Sequence, residues 1–316
     1  MTARSRYHAA LAIRTSMASD SHTLPRSTWL LLGALTLGWG FNWPMMKIAL
    51  AQVPVWSFRG ACVVLGALGL FLIARSNGLA LLPPKHQWGR LALTALFNVT
   101  LWNVLIAYAL TLLPAGRSVI LAYTMPLWVV LLSSVVLGER LTPRRIVGLA
   151  LGMGGMLLLV ARDLHALQAA PLGTALALAA ALAWGVGTVL LKRYPVSMPT
   201  TSFTGWQLLV GGVPIVAGAL VLETQRWQPL SSAATFAFAY NVIIAFVLCY
   251  WAWYKLVASA SAGVSALGTL LIPLVGVFSS MLVLGERPSL PEYLAMALVI
   301  AALATVLVPA RRKARA

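Results

Sequence analysis

The sequence predicts an all-α integral membrane protein, with ten transmembrane helices forming two inverted five-helix repeats around a central cavity. Three observations predict it. Of the 316 residues 60% are hydrophobic and only 9% charged, with a mean hydropathy of +0.89. A soluble domain carries about 25% charged residues, so this chain lacks the polar side chains to cover a surface in water. The apolar residues gather into runs long enough to cross a bilayer. A fifteen-residue segment recurs at an offset near half the chain.

A span of about 30 Å takes about 20 apolar residues in a helix. Ten runs meet that measure: 28–50, 55–74, 90–110, 115–137, 144–161, 172–191, 202–221, 235–256, 261–284 and 291–309. Inside hydrocarbon the backbone groups must pair within each segment, which selects helix over open sheet. The connections are short and leave no room for a sizeable soluble domain. Residues 1–27 read as a polar cytoplasmic tail without the apolar stretch of a cleavable signal peptide. Residues 310–316 read as a basic cytoplasmic tail.

Orientation follows from the basic residues. The side that holds the N-terminus carries 17 of the 23 Lys and Arg, and the other side 6. Cytoplasmic loops retain positive charge, so both termini are expected in the cytoplasm, with the chain in a bacterial inner membrane. The same scatter between apolar runs argues against nucleic-acid binding, despite the net charge of +17.

The repeat comes next. Pro126 to Arg140, PLWVVLLSSVVLGER, returns as Pro273 to Arg287, PLVGVFSSMLVLGER, at offset 147 with nine of fifteen positions identical. Trp39 to Lys47, WGFNWPMMK, returns as Trp184 to Lys192, WGVGTVLLK, at offset 145. The units are 28–162 and 171–309, with five runs each. An odd number of spans forces the second unit to enter the membrane upside down. The loop after the first Gly-Glu-Arg carries Arg144 and Arg145, whereas its copy carries Pro288, Pro291 and Glu292. Inverted repeats of this kind hold a substrate near the midplane, between the halves.

On these residues the sequence resembles the drug/metabolite transporter superfamily, in its ten-span branch with two EamA domains. The resemblance rests on Trp39-Gly40 and Trp184-Gly185, and on Pro126 and Pro273, each followed eleven residues later by Leu-Gly-Glu-Arg. It covers about 28–309. It implies a basket of helices around a cavity and, often, export of amino acids or related metabolites. The chain is also similar to the subgroup that exports aromatic amino acids.

Polar residues inside spans are expensive and face a neighbouring helix or a cavity. Asn98, Trp102 and Asn103 lie well inside the third run and are cavity candidates, against the reading that the amides tie helices together. Trp39 with Asn42, and Trp184 with Thr188, share helix faces in the first and sixth spans, where aromatic planes cover a side chain or stack on a cation. Tight packing over Gly40 and Gly185 is the competing reading. Tyr123, with Ser118 and Thr124, precedes Pro126, and Ser265 and Thr269 precede Pro273. A proline within a span frees a backbone carbonyl one turn back, so Pro126 and Pro273 are candidate gating breaks. Gln207, Trp206 and Asn241 follow the same logic more weakly. Lys47, Lys192, Arg59 and Arg117 stand near span ends, where long cations reach the headgroups. Glu139 and Glu286 read as structural groups at the interface.

The expected function is secondary transport of small metabolites, foremost amino acids including aromatic ones, as an exporter or facilitator working by alternating access. Other cargo stays open: nucleobases or nucleosides, sugar phosphates and drug-like compounds. No span places Asp, Glu or His near its middle, which points to gradient-driven diffusion or exchange rather than proton coupling. A membrane-embedded enzyme needs a nucleophile with a base, or a metal with His and carboxylate ligands. The spans offer none of these, and Cys62 and Cys249 have no metal-ligand spacing. No catalytic residue, metal or cofactor is expected. The expected partners are the small-molecule substrate and the lipid bilayer, with a monomer as the working unit.

Overall fold

The computed structural model describes residues 26–165, 170–223, 229–253 and 262–307, without the side chains of 26–28, 156, 159–165, 170, 262–270, 306 and 307. The expected tails 1–25 and 308–316 lie outside the described residues, and so do the side chains of Ser265 and Thr269. Among the described residues every regular element is helical.

The helices follow the apolar runs. They are α1 (Arg26–Leu50), α2 (Val55–Ser76), α3 (Lys85–Leu112), α4 (Ala115–Val136) and α5 (Pro143–His165), then α6 (Ala170–Arg193), α7 (Thr200–Leu222), α8 (Ser232–Trp253), α9 (Ala262–Leu284) and α10 (Leu290–Leu307). Among the described residues, α2, α3, α4, α6, α7 and α8 are long and apolar enough to cross a membrane. Large apolar side chains such as Leu72, Leu220, Val221, Phe236 and Leu282 point outward. In water that surface would be costly, and against lipid tails it is the expected finish.

Three helices, α3, α4 and α8, depart from regular α geometry. α4 is interrupted between Ala122 and Met125, just ahead of Pro126. Pro126 has no N–H for the carbonyl one turn back, and the Thr124 hydroxyl donates to the Leu121 carbonyl at 2.7 Å. α9 keeps Pro273 inside a continuous helix. α3 and α8 each contain a π-helical stretch, Leu96–Leu101 and Asn241–Cys249. Such wide turns occur frequently at functional sites.

α4 and α9 end alike. Gly138 and Gly285 both take φ of +67°, the left-handed conformation that suits glycine just past a helix end. The next N–H closes the turn: Glu139 N donates to Ser133 O at 3.3 Å, and Glu286 N to Ser280 O at 3.5 Å. The recurring Leu-Gly-Glu is thus a helix stop that projects a carboxylate at the bundle end.

α2 packs on α7 and α5 on α10. α1 lies against α9, as α6 lies against α4; α3 contacts α6, as α8 contacts α1. Close approach depends on missing side chains. A Cβ on Gly40 would collide with Val275 Cγ1, and one on Gly185 would stand 2.8 Å from Trp128 Cβ. Leu35, Phe58, Leu70, Leu110 and Leu121 belong to the main buried cluster that surrounds the site.

Candidate functional site

Side chains of α1, α2, α3, α4, α6 and α8 converge on a cavity of about 120 Å³. From α1 come Trp39, Asn42, Trp43 and Met46, which recur every three to four residues and so share one face. α2 brings Arg59, α3 brings Trp102, Asn103 and Ile106, and α4 brings Tyr123 and Met125 at its interruption. α6 contributes Trp184, and α8 contributes Ala245, Phe246 and Tyr250. That volume lies below the ~300–1,000 Å³ of drug-sized sites, which suits a small metabolite.

The aromatic walls are held edge to face. Trp102 and Trp184 meet at 5.1 Å between ring centroids and 60° between planes. Trp39 and Tyr250 meet at 5.6 Å and 82°. These are the favoured arrangements for ring quadrupoles. The indole N–H of Trp39 donates to the Ala245 carbonyl, 3.2 Å away in the π stretch of α8. Asn103 donates to the Val99 carbonyl at 2.9 Å, which fixes its amide against the π stretch of α3. The Asn42 Oδ1 is buried and has no hydrogen-bond donor.

Six of the sequence-predicted residues therefore meet here: Trp39, Asn42, Trp102, Asn103, Tyr123 and Trp184. Others do not. Asn98 is buried against α6, where a Cβ on Gly187 would collide with its Oδ1. The Thr188 hydroxyl donates to the Trp184 carbonyl at 2.8 Å, a bond within its own helix. Gln207 donates to Thr94 Oγ1 at 3.2 Å in the seam between α7 and α3. Pro126 sits beside the wall through Met125, and Pro273 is not among the lining residues.

The cations correct one expectation. Arg59 does not reach a headgroup region; it is 2% exposed and lines the cavity. The first turn of α2 is tied to the second half of the chain. Glu223 accepts from the N–H groups of Trp56 at 3.1 Å and Ser57 at 2.7 Å, and Gln52 exchanges hydrogen bonds with Ser231. Arg59 places Nη2 2.8 Å from Met46 Sδ and its guanidinium carbon 5.2 Å from the Phe58 ring centroid, while its Nε has no partner. Lys47, by contrast, donates to the carbonyls of Leu110 and, at 2.6 Å, Leu113. It fastens the end of α3 and is not among the cavity lining.

Arg59 had a sequence signal. Ser57-Phe58-Arg59-Gly60 recurs as Ser202-Phe203-Thr204-Gly205 at offset 145, the offset of the Trp-Gly pair. The copy keeps three residues and replaces the cation with threonine.

The carboxylates of the repeat act at the bundle ends. Glu286 accepts from Ala115 N at 2.6 Å and Gly116 N at 2.9 Å, capping α4. Glu139 instead pairs with Arg145 at 3.0 Å and Lys192 at 3.5 Å. Burial pushes its carboxyl up, but Lys192 and Arg145 outweigh that and hold it below the usual carboxylate range. Among the described residues no group of His, Cys, Asp and Glu could hold a metal ion.

Two stretches of the chain, residues 27–161 and 171–308, match the EamA-like transporter family. The chain belongs to that family. It is 30% identical over 288 residues to YvbV, an uncharacterized transporter of Bacillus subtilis, covering 90% of this chain and 92% of that one. It is 24% identical over 304 residues to a probable amino-acid metabolite efflux pump of Escherichia coli, covering 89% and 94%. Against a solved crystal structure it gives a TM-score of 0.61 at 24% identity, over 91% of this chain and 99% of that chain, which speaks to fold alone. As a member of the EamA-like family, the chain is a membrane transporter, and the names of its relatives indicate transport rather than catalysis.

Proposed function

We propose that this EamA-like transporter carries amino acids or closely related metabolites, aromatic ones included, across a bacterial inner membrane as an exporter or facilitator. The observation that carries the reading is the cavity, because both halves build it: Trp39, Asn42, Trp102 and Tyr123 from the first, Trp184, Phe246 and Tyr250 from the second. A site shared between halves is the one place that both membrane faces reach in turn when the halves rock.

In this reading residues 28–162 and 171–309 are two five-helix units of opposite orientation. The packing supports it, since exchanging α1–α5 with α6–α10 turns the most extensive contacts into contact pairs: α1–α9 into α6–α4, α3–α6 into α8–α1, and α2–α7 and α5–α10 into themselves. The charge division of 17 to 6 supports cytoplasmic termini. The caps made by Glu223 and Glu286, and the Gln52–Ser231 bonds, gather where α2 and α4 begin. That end faces outward in the proposed orientation, and these contacts support the reading of a carrier closed to the outside.

With no acid or histidine among the described residues that line the cavity, the carrier in this reading runs down its substrate gradient or exchanges one substrate for another. The test is reconstitution in liposomes with a mixed pool of amino acids, nucleobases and sugars. Amino acids are expected to cross and to compete with one another, while a pH gradient drives no uphill movement. Passage of only nucleobases or sugar phosphates would replace the amino-acid reading, and failure of every solute would remove the transport assignment of this cavity.

A further inference from the structure

We propose that Arg59 is the specificity-determining residue of the cavity, and that it takes the carboxylate of a transported acid whose apolar body lies among the Trp39, Trp102, Trp184 and Tyr250 rings. This deepens the amino-acid reading above and rests on it.

Two observations and two general rules meet at this side chain. It lines the cavity while being almost wholly withdrawn from the surface. Among the described residues its polar contacts are weak for its charge: one thioether sulfur, one ring face and an Nε without an acceptor, with Cys62 and Tyr250 as further electrostatic neighbours. Guanidinium offers five N–H donors in a planar fork that matches a carboxylate in bidentate fashion. A buried cation without an anion is costly, and retaining one in a packed wall calls for a compensating partner.

The described carboxylates near the bundle ends are engaged elsewhere. Glu139 holds Arg145 and Lys192, Glu223 caps α2, Glu286 caps α4, and Glu292 accepts from Ser289. Lys47 does not compete for the anion, since it is bonded to the carbonyls of Leu110 and Leu113.

The repeat adds an independent argument. Packing requirements are shared by both halves, and the Ser-Phe-x-Gly frame is kept in both. Only the first half puts a cation in it. A residue needed for helix packing would be expected to recur; one that reads a ligand with a single acidic group is needed once. The buried Asn42 Oδ1 is an acceptor in the same wall, suited to an ammonium N–H. Carboxylate, ammonium and apolar body together describe an α-amino acid.

The test uses the full-length protein, with leucine and phenylalanine as probes beside the matching amides, decarboxylated amines and deaminated acids. Binding is read in detergent by quenching of the cavity tryptophans, and transport in proteoliposomes. Wild-type protein is expected to bind the amino acids and be competed by the deaminated acids, with amines and amides at least about 30-fold weaker, the scale of losing a charge-assisted pair. Arg59→Met should raise KM for the amino acids by a similar factor and abolish the preference for acid over amine. Arg59→Lys should restore part of it. Because Arg59→Met removes a lone buried charge, its melting temperature should hold or rise, whereas a merely structural arginine would lower it. Wild-type KM and selectivity in Arg59→Met, or equal binding of amine and acid by the wild type, would overturn the proposal and leave amino-acid transport standing. If neither amino acid binds nor crosses with wild-type protein, the amino-acid reading falls and this proposal with it.

Discussion

Glu139 and Glu286 occupy one motif position yet should differ sharply in what they contribute to stability. Glu286 accepts two backbone N–H bonds at 2.6 and 2.9 Å at the start of α4. Hydrogen bonds to a charged group contribute about 1.5–3 kcal/mol each, and the helix N-terminus favours the negative charge further. Glu286→Gln keeps one carbonyl acceptor, whose neutral bond is worth about 1 kcal/mol, and turns its NH2 toward the other amide, leaving that N–H unsatisfied. The net cost is about 3 kcal/mol. Glu139 makes ion pairs at 3.0 and 3.5 Å with all partners roughly a third or more exposed. Such pairs contribute about 0–1 kcal/mol. SDS unfolding in mixed micelles, monitored by tryptophan fluorescence, compares the two variants directly. Equal destabilisation by Glu286→Gln and Glu139→Gln would refute the capping argument.

Lys47→Met should lower the melting temperature by unfastening the end of α3 while leaving KM unchanged, which separates it from Arg59→Met in the same transport assay. Trp102→Ala and Trp184→Ala should each slow transport, and a double-mutant cycle on stability should show coupling of about 0.5–1.5 kcal/mol from their edge-to-face contact at 5.1 Å. Additive effects would mean the rings act separately. The carboxyl of Glu139 is held low by Lys192 and Arg145, so its contribution to stability is present above its unfolded pKa of about 4.3 and fades as pH falls below that. The melting difference between wild type and Glu139→Gln should therefore be constant above about pH 5 and shrink toward zero below about pH 4; a difference that grows on acidification would contradict the sign.

The sequence made the helices legible because hydrocarbon imposes a strong length and composition rule on every span. Trp39, Asn42, Trp102 and Trp184 were legible because large polar-tipped rings and amides are rare that deep. Arg59 is obscured in the sequence because its place near the start of a span suggests closeness to water. Arg59 is buried against a cavity wall assembled from six helices, and Glu223, distant in sequence, caps the start of its helix; no local pattern reveals either contact. Asn98 failed in the opposite way. Its depth marked it, but which side of α3 it faces depends on the π stretch at Leu96–Leu101, which shifts every later side chain around the axis. Thr188 and Gln207 were claimed by nearer hydrogen-bond acceptors, a competition that sequence spacing leaves undecided.

The cap on α4 has a thermodynamic corollary for a carrier of the proposed kind. Ala115-Gly116, whose amides hold Glu286, has a counterpart at offset 147 in Ala262-Gly263, and Glu139 is the counterpart of Glu286. An exchange of shapes between the halves would release one two-amide clasp while its twin closes. Loss and gain would then nearly cancel, so that two end states stay close in free energy and neither becomes a trap. A carrier that visits both faces of a membrane in turn benefits more from that balance than from the strength of either clasp.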